Sequence, residues 1–71
     1  MAFNFDKLRG KIIEKYRSQG EFVKVFGVSE NTFSKKMNNK VRFTSQDIIK
    51  ITGLLDIPKE EVGTYFFTEK V

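Results

Sequence analysis

Residues 26–40, "FGVSENTFSKKMNNK", set Gly27, Ser29 and Phe33 in an order that decides how the chain folds. Gly27 falls where a helix must leave its last turn, because glycine adopts a positive φ without steric cost. Two residues later Ser29 is placed to accept a hydrogen bond from the free amides of a new helix. Gly27-Val28-Ser29 therefore reads as a tight joint between two helices. The helix after the joint is expected over about 30–38, burying Phe33 and Met37 at i and i+4, with Asn39 as a left-handed cap at its end.

Outward from this joint the pattern stays helical. Upstream, Ser18 stands three residues before Glu21, a capping-box spacing ahead of Phe22 and Phe26, and predicts a second helix from Gln19 to Phe26. Phe5, Leu8, Ile12 and Tyr16 recur at helical spacing, with Ile13 beside them, and predict a first helix from about Asp6 to Tyr16. Gly10 weakens it by about 1 kcal/mol relative to alanine. Downstream, Lys40 to Phe43 reads as a short connection. Thr44 or Ser45 caps a fourth helix with Ile48, Ile51, Thr52 and Leu55 on one face, and Gly53 in its last turn. Asp56-Ile57-Pro58 marks a break and restart, since proline is tolerated only in the first turn of a helix. Lys59 to about Phe66 is the fifth helix, with Val62 and Phe66 inward, and the last residues, "FTEKV", fray or form an extended tail. The expected fold is all-α, five short helices in one domain over residues 1–71.

Composition narrows the chemistry. At about 1.5 kcal/mol of ordering entropy per residue, 71 residues need most of their apolar side chains for the core. The chain has no cysteine and no histidine, so thiolate sites and the commonest general base and metal ligand are missing. No catalytic pair or metal cluster is present, and Glu60-Glu61 reads as a pair of helix-start acids. An enzyme is not expected, nor a cofactor, a metal or a small-molecule ligand. The apolar runs are far shorter than the roughly 20 residues that span a bilayer, and "MAFNFDKLRG" lacks a signal peptide's apolar stretch, so a cytoplasmic protein without membrane association is expected. Charge is unevenly spread. Residues 1–43 hold ten Lys/Arg against four Asp/Glu, a net +6, whereas residues 44–71 hold three against five, a net −2. The basic part hints at a polyanionic partner.

Two helices joined by a three-residue glycine-containing turn form the pattern of a helix-turn-helix. On the third helix Glu30, Asn31, Ser34, Lys35 and Asn38 share one face, opposite Phe33 and Met37. Such a face fits a major groove about 12 Å wide, where Asn31 suits adenine N6/N7 and Lys35 suits guanine O6/N7. Glu30 serves equally well as a helix-start acid or as an acceptor for cytosine N4. Phosphate contacts are expected from Ser29, Lys36, Lys40 and Arg42, which flank that face around residues 34–43, a stretch without an acid.

Residues 19–40, "QGEFVKVFGVSENTFSKKMNNK", resemble the helix-turn-helix core of the Cro and phage-repressor family. The resemblance is carried by Gln19, Phe22, Phe26, Gly27, Val28, Ser29 and Phe33, and by "SKKMNNK", similar to the "SKxLNGK" ending common there. It implies a lambda-repressor-like domain that binds double-stranded DNA as a transcriptional regulator, with Gln19 anchoring a phosphate and Val28 plugging the core. The chain's small size and "IPKEEVGTYFF" fit a phage-type regulator. Val23 stands where the family usually has alanine, and Asn39 where it usually has glycine.

Near the chain end Tyr65, Phe66 and Phe67 either cover the core and the first helix or form the interface of a homodimer. From another class comes the alternative of a protein-binding adaptor or antirepressor that keeps the fold without specific DNA binding.

Overall fold

Local capping starts most of the helices, and an aromatic core fixes their arrangement. The computed structural model describes residues 2–70 and is all-α: α1 (Asp6–Tyr16), α2 (Gln19–Phe26), α3 (Glu30–Met37), α4 (Ser45–Leu55) and α5 (Val62–Phe66), the last led in by a 3-10 turn over Lys59–Glu61. Ser18 Oγ accepts the Glu21 amide at 3.1 Å and Ser29 Oγ accepts the Thr32 amide at 3.1 Å. Each satisfies one of the free amides of a first turn. At Ser18 the capping box is half made, because the Glu21 carboxylate accepts from Lys24 at 2.8 Å instead of turning back. The full box belongs to Thr44, whose hydroxyl accepts the Asp47 amide at 3.1 Å while the Asp47 carboxylate accepts the Thr44 amide at 3.0 Å.

The expected joint is present. Gly27 adopts φ 94° and its amide donates to the Val23 carbonyl at 2.8 Å, closing α2 before Ser29 opens α3. α3 stops at Met37, one residue earlier than expected, and Asn38 becomes its C-cap. The fifth helix begins late because the turn after Pro58 is wound as 3-10, with the Glu61 amide donating to the Pro58 carbonyl at 2.9 Å. Arg17 carries a positive φ of 73° between α1 and α2. Nothing in the sequence pattern signalled this conformation at an arginine.

Leu8, Ile12, Phe22, Phe33, Ile51 and Leu55 are fully buried. Phe33 meets Phe22 at 5.6 Å and Phe26 at 5.7 Å between ring centroids, both edge-on, so α3 is pinned to α2 by three aromatic rings. Phe43, expected only as part of a connection, extends this cluster. Its ring stands edge-on to Phe5 at 5.2 Å, to Phe66 at 5.5 Å and to Phe33 at 6.0 Å. Val23, the departure from the usual alanine, is buried between its helix and the core.

The chain ends meet. Residues 2–4 and 68–70 form an antiparallel bridge at Phe3 and Glu69, with the Asn4 amide donating to Thr68 at 2.7 Å and the Lys70 amide to Ala2 at 3.0 Å. From the other side Asn39 accepts the Phe3 amide at 2.8 Å through Oδ1 and donates to the Phe3 carbonyl at 2.9 Å through Nδ2. Asn39 also has the expected left-handed backbone, φ 63°. Its side chain gives a reason for asparagine over glycine here: the amide pairs with Phe3 as a neighbouring strand would.

Lys36 and Asp47 form an ion pair between α3 and the start of α4, their side chains 11% and 16% exposed. Burial pushes the Asp47 carboxyl up, but the hydrogen bonds from Lys36 and Thr44 together outweigh it and hold the group below the usual carboxylate range. A lowered folded-state value means the stabilisation is complete above the unfolded value, about 3.9, and is lost as the pH falls through the folded one. Replacing Lys36 by methionine leaves the Thr44 amide as the remaining partner of a mostly shielded carboxylate and is expected to cost about 2 kcal/mol at neutral pH, read from the denaturant midpoint. The same variant should lose less of its remaining stability than the native chain on acidification below about pH 4, because protonation then relieves an unpaired charge. At the α1–α2 corner, Arg17→Gly is expected to stabilise by about 1 kcal/mol, measured by thermal unfolding, since glycine carries no penalty at positive φ.

Candidate interaction face of the helix-turn-helix

The outer face of α3 is built by what lies behind it. With Phe33 and Met37 buried against the core, Glu30, Asn31, Lys35 and Asn38 are exposed and Ser34 is half-buried. The structure thus brings the five expected base-reading residues onto one side of a helix that projects from a tight turn. Asn31, Ser34, Lys35 and Asn38 make no side-chain hydrogen bond among the described residues. Their donors and acceptors are free for a partner.

Glu30 is less open than the sequence implies. A Cβ built on Gly20 would lie 3.6 and 3.8 Å from the two Glu30 carboxylate oxygens, so the carboxylate rests against the first turn of α2. The positive end of that helix's dipole favours a negative charge there. A phosphate approaching this end of α2 meets a like charge nearby.

The expected phosphate contacts divide. Lys40 and Arg42 are exposed and lack an acidic partner among the described residues, and Gln19 is half-buried at the start of α2. Ser29 has its hydroxyl engaged on both sides, accepting the Thr32 amide and donating to the Thr32 hydroxyl at 2.9 Å. Lys36 does not stand on the outer face. It lies three residues after Phe33, on the core side of α3, and is neutralised by Asp47. That i, i+3 spacing from the anchor residue was visible in the sequence and marks it as an inward position.

The proposed C-terminal contact patch is likewise reduced. Tyr65 and Phe66 are buried, 7% and 2% exposed, because α5 turns them onto the core, and Phe67 alone of the three faces out. Lys7 covers the Tyr65 ring, its Nζ 5.4 Å from the centroid.

A feature not anticipated from the sequence lies beside α3. Phe3, Val41, Phe43, Ile48, Phe66 and Phe67 wall a cleft of about 120 Å³, with Arg42 and Asn39 at its edge. The alternation of basic and apolar side chains in "KVRF", residues 40–43, was the signal that could have found it. Among the described residues no group of acids, histidines or cysteines is arranged to hold a metal ion, and no helix is long and apolar enough to cross a membrane.

A small all-α protein with a projecting helix-turn-helix face is the class that this geometry defines. The chain belongs to the family described as "Protein of unknown function (DUF739)", which matches residues 1–69. Among solved structures it is similar to the modulator of repression (MOR) of the temperate bacteriophage TP901-1 from Lactococcus lactis, known from a solution structure. The two are 37% identical, the match covers 100% of this chain and 96% of that one, and the TM-score is 0.84. No curated protein matches. The resemblance to Cro and phage repressors rests on the helix-turn-helix stretch; the likeness to the modulator runs along the whole chain.

The Glu30 carboxylate should oppose polyanions. Glu30→Gln is expected to raise the affinity for random-sequence duplex DNA about two- to threefold at low salt, with the gain shrinking as salt is added, in fluorescence-anisotropy titrations.

Proposed function

We propose that this chain is a small phage-type regulator that modulates repression by binding a repressor protein, using the helix-turn-helix as a docking scaffold. The observation that carries the reading is the full-length likeness, at 37% identity, to a protein described as a modulator of repression. The electrostatics of the face support it. Lys35, Lys40 and Arg42 are exposed cations on or just after α3, and Lys50 stands by the Gly27 turn, once Lys36 is withdrawn into its pair with Asp47. Even if all four met phosphates the salt slope would be about −3.6, short of the roughly six to ten contacts that tight DNA binders make. The free amides, hydroxyl and ammonium of Asn31, Ser34, Lys35 and Asn38 suit the polar rim of a protein interface equally well.

A second reading, sequence-specific DNA binding in the manner of a Cro-like repressor, is favoured by one observation: Asn31, Ser34 and Lys35 stand together and unpartnered on the second helix of the helix-turn-helix, the element that enters the major groove in DNA-binding members of that motif. In it Asn31 and Lys35 read base edges while Gln19, Lys40 and Arg42 contact phosphates.

Calorimetric titration of the chain with the repressor of the same phage or prophage, beside selection of bound fragments from a random DNA pool, separates the two. The proposal expects a saturable complex with the repressor, weakened about tenfold or more by Lys35→Glu, and no enriched DNA sequence. An enriched sequence bound by this chain alone, with no repressor complex, would sink it in favour of the second reading.

A further inference from the structure

The cleft beside α3 has the features of a socket rather than of a packing fault. Most of its lining is apolar, from Phe3, Phe5, Phe43, Ile48, Phe66 and Phe67, with Lys36, Asn39 and Arg42 supplying the polar part. At about 120 Å³ it approaches the size of cavities, about 150 Å³, that accept a benzene ring. Two large apolar side chains at its mouth, Val41 and Phe67, are 45% and 53% exposed, and Phe67 stands edge-on to Phe3 at 5.7 Å. Neighbouring apolar side chains left in water around a concavity mark a place where a partner inserts a group.

Charge around the mouth selects that partner. Arg42 lines the cleft and Lys40 precedes Val41, both exposed and without an acidic partner among the described residues. Neither Glu69 nor Lys70 lines the cleft. Lys36, which also lines the cleft, is balanced by Asp47. The surroundings therefore carry a net positive charge contributed by Lys40 and Arg42. A second copy of this chain would bring the same cations against these, and duplex DNA offers anionic phosphates but no bulky apolar group to fill the hole.

We infer that this cleft receives one bulky apolar side chain from an acidic segment of a partner protein, with Arg42 and Lys40 engaging the flanking carboxylates. The inference rests on the protein-binding reading above and names what that partner must present. It adds a second contact surface beside the α3 face, made of the connection between α3 and α4 and the paired chain ends.

The test uses the whole chain and short synthetic peptides of equal length: Asp/Glu-rich around a central Phe, the same with Ala in its place, and Lys-rich around Phe. Amide chemical shifts followed by NMR should move saturably at Val41, Phe43 and Phe67 with the acidic Phe peptide. Binding should fall about tenfold or more when its Phe becomes Ala or when its acids become Lys. Val41→Asp and Arg42→Glu alter exposed side chains, so their thermal unfolding should stay native-like while binding of the acidic Phe peptide drops by a similar factor. Equal response to all three peptides, shifts confined to other surfaces, or sedimentation showing the cleft closed by a second copy would overturn the inference. The repressor separates the two readings: a complex that forms normally with Val41→Asp and Arg42→Glu but fails with Lys35→Glu rejects the socket and leaves the function standing. A repressor that binds no form of the chain rejects the function, and the peptide panel then decides the socket by itself.

Discussion

α3 is eight residues long, and a helix of that length does not persist in water on its own hydrogen bonds. Its stability comes from Phe33, whose ring is fully buried among Phe22, Phe26 and Phe43. That packing also sets its orientation: with Phe33 inward, the residues one and two positions away must point out. The Gly27 turn permits the approach, Ser29 starts the helix, and the Lys36–Asp47 pair ties its far end to α4. An outward-facing polar helix is thus a consequence of one inward-facing phenylalanine.

Features set by neighbours in the sequence were legible before the structure. Helix starts at Ser18, Ser29 and Thr44, the left-handed Gly27 and Asn39, and the break at Asp56-Ile57-Pro58 all arise from short-range hydrogen bonding and backbone sterics. Features that depend on distant parts of the chain were not. Asn39 reaches Phe3, 36 residues away, and Phe43 finds Phe5 and Phe66 from what reads locally as a mere connection. For Tyr65, Phe66 and Phe67 the sequence left core cover and self-association both open, because an aromatic run of this kind carries no mark of how much core waits beneath it; the fold buries the first two and leaves Phe67 outside. Lys36 is the instructive case. Its position relative to Phe33 pointed inward, but only the arrival of Asp47 from α4 explains why a lysine is tolerated there.

The helix-turn-helix geometry is shared by proteins with different partners, and function belongs to the side chains mounted on it. Here the acid at the start of α3 and the inward lysine lower the positive potential that phosphate binding requires. The exposed Asn31, Ser34, Lys35 and Asn38 keep directional hydrogen-bonding capacity. Together with the neighbouring apolar hollow they offer a mixed surface, with polar specificity on a helix and hydrophobic purchase beside it.

The clasp formed by Asn39 on Phe3 has a practical side. The residue just past the α3 cap grips Phe3 with its side-chain amide, while residues 68–70 lie along the other edge of residues 2–4. A label placed at Phe3 would therefore sit within one side chain's reach of the end of α3. A spectroscopic probe placed there would report on events at α3.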